Sequence, residues 1–273
     1  MVKRICLALV IAVLARTASA DSAPANGCAV YLPLVWDLAG SVSLAEPYAA
    51  SLHRGGATRV WGTQNVRVEG SGPDAVIAVT YPEGSIDPAS APGAPLGGAG
   101  FLYPVARQLE HACLSYDVKF EPGFVFARGG KLPGLYGGDA PSGGGSADNG
   151  FTTRYMWRGG GWGEVYAYVP GKSSSYGESL GAGTWTFMPG EWRRIEQEIV
   201  LNRPDRADGV LRVWYDGKFV FEQAGLVFRL SDKVGISGLM FSTFFGGHDP
   251  SWASPRAQSS YFRRIRLHGV SKK

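Results

Sequence analysis

Most of the short motifs that carry familiar enzyme chemistry are missing from this chain of 273 residues. It has no Gly-x-Ser-x-Gly elbow, no His-Glu-x-x-His zinc motif and no Gly-x-x-x-x-Gly-Lys-Ser/Thr loop. Cysteine and histidine are scarce, with 3 and 4 residues, and they lack the spacing of metal ligands. These absences argue against serine hydrolases, zinc proteases and nucleoside triphosphatases, and we expect no metal site.

An acidic pair of the kind that hydrolyses glycosides is not evident either. Glu196 and Glu198 stand two residues apart on one predicted strand, without a third acidic residue in the arrangement of laminarinase-like sandwiches. We interpret both as part of a solvent-exposed strand face. A glycoside hydrolase is therefore disfavoured.

Long apolar runs are missing after the start of the chain. Lys3 and Arg4 precede the run ICLALVIAVLA, and the small residues ASA follow it as a cleavage site. The run is too short to span a bilayer, so we predict a signal peptide over residues 1–20. The mature protein is expected to be exported, to the periplasm or the extracellular medium, and to have no membrane segment.

Removal of this segment changes the charge and the cysteine count. It carries three basic residues, so the formal net charge falls from +4 to 4 − 3 = +1. A nearly neutral protein is not a general binder of nucleic acids, and its attraction to an acidic partner must be local. Cys28 and Cys113 remain, and an oxidising compartment favours one disulfide between them. Two free buried thiols are the alternative.

Composition favours an all-β fold. Glycine is abundant, at 39 residues, aromatic residues reach 12%, and helical periodicity is rare, which is typical of a sandwich or barrel. Alternation predicts strands in HACLSYDVKFEP, in GEWRRIEQEIVLN as a half-exposed strand, and in SYFRRIRLHGV; Asp216-Gly217 predicts a hairpin turn. The segment LAEPYAASLHRG allows one short helix. A flexible tail over residues 21–27 and a single domain over residues 28–273 complete this prediction.

The most informative stretch spans residues 129–170. It begins with GGKLPGLYGG, which we interpret as a glycine-held loop around Lys131, and continues with strands FTTRYMWR and GEVYAYVP. A period of two places alternate residues on one face of each strand, and the short bend RGGGWGE makes the strands antiparallel neighbours. The side chains expected to share one surface are Lys131, Thr152, Arg154, Met156, Arg158, Glu164, Tyr166 and Tyr168.

A surface of lysine, arginine and tyrosine suits the β-elimination of a uronate polymer. In this reaction a base removes the C5 proton, an acid protonates the leaving oxygen on C4, and a cation neutralises the carboxylate. Arginine serves the carboxylate, whereas lysine and tyrosine exchange protons when their pKa values are shifted. No metal or organic cofactor is then required.

The same residues resemble a known family. GGKLPGLYGG, Thr152-Thr153-Arg154, Tyr166-Ala167-Tyr168 and STFFGGHDPSWAS occur in the order found in polysaccharide lyase family 14. They are also similar to the β-glucuronan lyases of family 20. The resemblance covers residues 100–270 and implies a concanavalin-like β-jelly roll, a sandwich of two stacked antiparallel sheets with a substrate cleft on the concave face. It further implies catalytic roles for Lys131, Arg154, Tyr166 and Tyr168. Thr152 stands where some members have serine, and it keeps the hydroxyl.

We therefore expect a secreted, monomeric polyuronate lyase without a cofactor. Alginate is the leading substrate, and β-1,4-glucuronan is the second. Tyr166 or Tyr168 is expected to act as acid or base, Lys131 as partner base or carboxylate-neutralising cation, and Arg154 as a uronate ligand. The side chains expected to bind substrate are Thr152, Arg158, Tyr136, His248 and Trp252.

Plainer interpretations exist for the same residues. Lys131 could be a turn lysine, the two tyrosines could be cross-strand packing, and Arg158 with Glu164 could form a simple ion pair. A non-catalytic carbohydrate-binding jelly roll would use the same aromatic and basic side chains without acid or base chemistry. Loss of turnover with retained binding in Lys131 and Tyr168 variants separates a lyase from such a lectin.

Overall fold

The computed structural model describes residues 26–41, 48–89 and 93–272. The predicted signal peptide and residues 21–25 of the predicted tail lie outside these ranges. No helix in the described ranges is long and apolar enough to cross a membrane.

Antiparallel strands make up most of the described chain, and hydrogen bonds join fourteen of them into one continuous sheet. In chain order they are β1 (Leu34–Asp37), β2 (Thr58–Trp61), β3 (Val66–Glu69), β4 (Val76–Tyr81), β5 (Ala99–Phe120), β6 (Gly129–Gly138), β7 (Gly150–Arg158), β8 (Gly163–Tyr168), β9 (Glu178–Leu180), β10 (Arg193–Val200), β11 (Gly209–Tyr215), β12 (Lys218–Leu226), β13 (Ile236–Phe245) and β14 (Gln258–Ser271). Two short helices are α1 (Leu38–Ser41) and α2 (Tyr48–Arg54), and single 3-10 turns occur at Cys28–Val30, Thr63–Asn65, Gly72–Asp74, Gly159–Gly161 and Pro250–Trp252.

The long strand β5 folds this sheet into two layers. Its first half pairs with β2 and β13, and its second half pairs with β10 and β14. The front layer continues from β13 through β6, β7 and β8 to β9, and the back layer contains β3, β4, β14, β10, β11 and β12. The predicted jelly roll is confirmed, with its two layers joined through β5.

The two layers are stacked face to face around an apolar core. Between them, the Tyr155 hydroxyl on β7 donates a hydrogen bond to the Glu196 carbonyl on β10, at 2.9 Å. The Thr153 hydroxyl donates to the Gln197 side chain at 2.6 Å. Because these residues alternate with others along β7, their neighbours on the strand point to the opposite face of the front layer. That outer face carries the candidate site.

Several local predictions are confirmed. Asp216-Gly217 joins β11 to β12 as a hairpin, helix α2 lies within LAEPYAASLHRG, and β14 contains the predicted closing strand. Strand β5 begins before the predicted segment, at Ala99.

Cys28 and Cys113 form a disulfide, which ties the N-terminal segment to the outer face of the back layer. Gly27, predicted to be in a flexible tail, lies against the Glu196 carboxylate.

The interpretation of GGKLPGLYGG as a loop is wrong, because the segment forms strand β6. At two positions its glycines are required by neighbouring aromatic rings rather than by a turn. A Cβ atom on Gly130 would lie 2.1 Å from the Trp157 ring, and one on Gly137 would lie 2.3 Å from the Phe151 ring. Lys131 is therefore held on a regular strand.

The interpretation of Glu196 and Glu198 as a solvent-exposed face is also wrong. The two residues are only 3% and 1% exposed. Other parts of the chain cover and neutralise them. Arg194 on the same strand and the Ala29 amide contact Glu196, and Tyr31, His111 and Arg212 contact Glu198. Both belong to the back layer, on the side opposite the candidate site.

Candidate active site

Strand register brings the predicted site residues together on the outer face of β6, β7 and β8. Lys131 pairs with Met156, and Gly134 pairs with Arg154 after a bulge in β6. On the other side of β7, Arg154 pairs with Tyr166 and Thr152 pairs with Tyr168. Directly opposed residues on neighbouring strands lie on the same face, so the predicted shared surface exists.

Lys131 is almost fully buried, with only 8% of its surface exposed. Its Nζ atom lies 2.6 Å from the Met156 Sδ atom and 3.5 Å from the centre of the Tyr166 ring. Burial, followed by the positive charges of Arg154 and Arg158, lowers the pKa of Lys131 well below its ordinary value. The neutral amine, which can accept a proton, is therefore more accessible here than in an exposed lysine.

Arg154 is more deeply buried, at 3% exposure. Its Nη1 atom donates one long hydrogen bond of 3.5 Å to the Ser242 hydroxyl, and its Nε atom has no partner. Burial lowers the pKa of Arg154, yet an arginine remains charged near neutral pH. Within the described ranges neither Arg154 nor Lys131 forms an ion pair. Two buried basic side chains therefore lie side by side without a carboxylate partner among the described residues.

The two tyrosines differ in their surroundings, although their rings are in edge contact at 5.8 Å. Tyr168 is buried, and its hydroxyl accepts a hydrogen bond of 3.1 Å from the Gly144 amide. Tyr166 is half-buried beside Lys131. Burial and then Tyr168 raise the pKa of Tyr166, so its hydroxyl keeps its proton and can act as a donor.

Thr152 and Tyr136 lie at one end of this surface and face each other across β6 and β7. Thr152 is fully buried, and its hydroxyl donates to the Pro141 carbonyl at 2.9 Å. Tyr136 packs with Leu102 in a small apolar cluster on the same side of the front layer. Through Pro141 and Gly144, the loop between β6 and β7 is fixed against the site.

Arg158, Trp252 and His248 lie towards the opposite end. Arg158 donates to the Glu164 carboxylate at 2.7 Å, as the ion-pair interpretation expected. Its guanidinium also lies 5.8 Å from the Tyr166 ring and 5.7 Å from the Trp252 ring. His248 is exposed on the loop after β13, and no hydrogen bond joins it to another described residue.

Several residues of the site were not predicted as functional. Met156 stood on the predicted face, but nothing in its spacing indicated that it would contact Lys131, and Glu164 was expected only as an ion-pair partner of Arg158. Asp87, on the loop after β4, acts electrostatically to raise the pKa of both Lys131 and Arg154. No periodic pattern in the sequence connects this loop to β6 and β7, so its position could only come from the fold.

The arrangement combines a poorly solvated amine, a protonated phenol and an unpaired guanidinium on one surface. Proton removal, proton donation and carboxylate binding are the three tasks that these groups perform best together.

The Sγ atoms of Cys28 and Cys113 lie near the Glu196 carboxylate, but a disulfide uses both sulfur atoms. The described residues of the candidate site do not resemble a metal centre.

Comparisons with known proteins agree with this geometry. The sequence model of the family described as polysaccharide lyase 14 matches residues 70–265. A solved PL-14 alginate lyase from Aplysia kurodai is 30% identical, with a TM-score of 0.75 over 86% of this chain and 99% of that chain. Comparison with curated protein sequences finds no match.

Two other solved structures share the fold at lower identity. The alginate lyase vAL-1 from a Chlorella virus is 22% identical, with a TM-score of 0.70 over 87% of this chain and 100% of that chain. The endo-β-1,4-glucuronan lyase from the fungus Trichoderma reesei is 12% identical, with a TM-score of 0.51 over 79% and 92%.

Proposed function

The chain belongs to polysaccharide lyase family 14, and from the chemistry of its cleft we propose that it cleaves alginate by β-elimination. The choice of polymer is supported by the similar lyase from Aplysia kurodai, which is described as an alginate lyase. Alginate carries a carboxylate on every sugar, so a binding surface for it needs cationic groups without internal partners.

One observation carries this proposal: Arg154 and Lys131 are both buried, both basic and both without an ion pair among the described residues. Burying a charged group without a partner is costly for the fold. A protein keeps such groups where a ligand or a reaction uses them. A bound uronate carboxylate would supply the opposite charge that Arg154 lacks among the described residues and neutralise the surface around it.

Lys131 acts as the base in this proposal. Its neutral amine accepts the C5 proton, and the C5–H electron pair forms the new double bond to C4. The lowered pKa of Lys131 supports this role, because a lysine of ordinary pKa would be protonated at neutral pH. Met156 keeps the amine in place through a weak thioether contact without supplying a charge.

Tyr166 acts as the acid. Its hydroxyl gives a proton to the C4 oxygen as the C4–O bond breaks, and the products are a new reducing-end sugar and an unsaturated uronate. The raised pKa of Tyr166 keeps this proton available, and the ring lies beside Lys131. The proton that Lys131 has accepted can then return to Tyr166 directly or through water. The buried Tyr168, whose hydroxyl bonds Gly144, positions Tyr166.

The remaining predicted ligands extend the surface on both sides of this centre. We assign Arg158 and Trp252 to one side, with His248 as an exposed contact on the adjoining loop. Tyr136 and Thr152 belong to the other side, where Thr152 acts through the loop that it holds. The disulfide and the predicted signal peptide support export from the cell, and we propose that the protein acts there as a monomer.

The test is turnover of purified protein on alginate, polymannuronate, polyguluronate and β-1,4-glucuronan, followed by the ultraviolet absorbance of the unsaturated uronate. A rise with the alginate-type polymers and none with glucuronan supports the proposal. A rise only with glucuronan would leave the proposed mechanism in place and overturn the choice of alginate as the substrate. No rise with any of the four overturns the proposed function.

A further inference from the structure

Trp252 occupies a defined place on the cleft surface. Its ring rests on two glycines: a Cβ atom on Gly247 would lie 2.2 Å from it, and one on Gly129 would lie 3.3 Å from it. Gly129 is two residues before Lys131 on β6, so both positions face the same side, about 7 Å apart along the strand. The indole therefore lies against β6 one strand repeat, about the length of a sugar ring, before the position of Lys131.

Arg128 extends the surface beyond this ring. Its guanidinium lies 4.9 Å from the centre of the Trp252 ring, and its Nη1 atom donates to the Ser251 hydroxyl at 2.8 Å. Arg158 lies 5.7 Å from the same ring. Trp252 thus has two guanidinium groups against it, in an arrangement that fixes planar cations through the aromatic ring.

The two arginines differ in their carboxylate partners. Arg158 is paired with the buried Glu164, whereas Arg128 is exposed and makes no ion pair with any residue that the structure describes. The pKa of Asp249 is lowered mainly by hydrogen bonds from Ser251. The positive charge of Arg128 makes a smaller contribution to this shift. The guanidinium of Arg128 is held in place with most of its donors unused.

We propose that Arg128 and Trp252 form an outlying subsite that binds a uronate sugar next to the one held at Lys131 and Arg154. The Trp252 ring would contact the sugar, and Arg128 would bind its carboxylate by charge-assisted hydrogen bonds. This inference rests on the proposed function, since it assumes a polyuronate in the cleft. No functional role was predicted for Arg128 from the sequence. The residue precedes β6, so the alternation that groups the site residues on one face of the strands does not include it.

Binding without turnover tests the subsite independently of the reaction. Alginate oligosaccharides of increasing length are titrated by calorimetry into Lys131→Ala protein and into the double variant Lys131→Ala/Arg128→Gln. Loss of one charge-assisted contact is expected to weaken binding of the longer oligosaccharides roughly fivefold. The difference should shrink for oligosaccharides too short to reach from Arg154 to Arg128. Arg206→Gln in the same background is the control, because Arg206 is exposed on the loop between β10 and β11.

The outcomes separate the two proposals. A length-dependent loss with Arg128→Gln and none with Arg206→Gln supports the subsite. Equal affinities with and without Arg128, or an equal loss at every length, overturn it. A wild-type protein that binds the oligosaccharides but never cleaves them overturns the proposed function and leaves the subsite standing. Failure of the wild type and of every variant to bind overturns both.

Discussion

The Nζ atom of Lys131 lies 3.5 Å from the centre of the Tyr166 ring, although the two residues belong to strands that do not touch. Strand β7 separates them, and the contact passes over Met156 and Arg154 on its outer face. A cation–π contact favours the protonated lysine, yet burial and two neighbouring arginines lower the pKa of Lys131. The amine thus lies beside its proposed acid, and its lowered pKa favours the neutral form that accepts a proton.

Replacement of Lys131 by arginine distinguishes a base from a simple cation. Arginine keeps the positive charge but does not lose its proton in a protein. If Lys131 is the base, Lys131→Arg should be as inactive as Lys131→Ala, with kcat lowered by about 10²–10⁴-fold. Steady-state kinetics on alginate measure this.

Lys119 provides a matched control. It also lies over aromatic rings, 5.0 Å from Trp192 and 4.8 Å from Tyr261, but it is only half-buried and lies on the back layer. Lys119→Arg should keep wild-type turnover. Substantial activity in Lys131→Arg would show instead that the residue only neutralises the substrate carboxylate.

The pH dependence of kcat/KM should report the two shifted groups. A base works when deprotonated, so activity should rise as pH increases through the lowered pKa of Lys131, well below 10.5. An acid works when protonated, so activity should fall only above pH 10, as Tyr166 with its raised pKa loses its proton. A profile that begins to rise only near pH 10.5 would contradict this assignment.

Glu164 influences the acidic limb of this pH profile, which is the range in which activity rises with pH. Burial, Arg154 and Arg158 lower the pKa of Lys131, whereas the Glu164 carboxylate opposes them. Glu164→Gln removes this opposition, so the acidic limb should shift to lower pH. Glu178→Gln on the exposed strand β9 is the control and should leave the limb in place. A shift of the Glu164→Gln limb to higher pH would contradict the electrostatic argument.

The sequence was sufficient to predict the sandwich and the shared face of β7 and β8. A strict period of two decides which side chains of FTTRYMWR and GEVYAYVP point the same way, and a short bend decides that the strands pair. Lys131 was placed correctly on that face but in the wrong element. Its glycines indicated a loop, whereas they make room for Trp157 and Phe151 within a strand.

The environment of Glu196 and Glu198 could not be predicted in this way. Alternation of charged and apolar residues on β10 is the same for an exposed strand and for one covered by another segment. The partners come from Tyr31, His111 and Arg212, which are remote in sequence. Burial alone would raise the pKa of Glu198, but hydrogen bonds from these residues leave it lowered. Only the fold brings the compensating groups together.

Replacement of Lys131 by methionine should stabilise the protein while removing its activity. A buried amine whose hydrogen-bond partner among the described residues is a thioether costs the fold about 1–3 kcal/mol, and methionine fills a similar volume beside Met156. The penalty is full below the folded-state pKa of Lys131. It shrinks as pH rises above that pKa and disappears near pH 10.5, where the unfolded chain also loses its proton. Urea unfolding of both proteins at several pH values should show a gap that narrows as pH rises. A less stable Lys131→Met at neutral pH would contradict the cost assigned to the amine.

The disulfide should contribute to stability without contributing to catalysis. It joins residues 85 apart in sequence, and closing a loop of that size in the unfolded chain stabilises the fold by about 2–4 kcal/mol. Cys113 and Cys28 pack with Trp214 in a cluster separate from the main core, on the outer face of the back layer. The double variant Cys28→Ala/Cys113→Ala should therefore unfold at lower urea concentration but keep wild-type kcat/KM at 25 °C. A reducing agent should lower the stability of the wild type to that of the variant and leave the variant unchanged. Loss of turnover under conditions where the variant remains folded would show that the N-terminal segment acts on the cleft through the core.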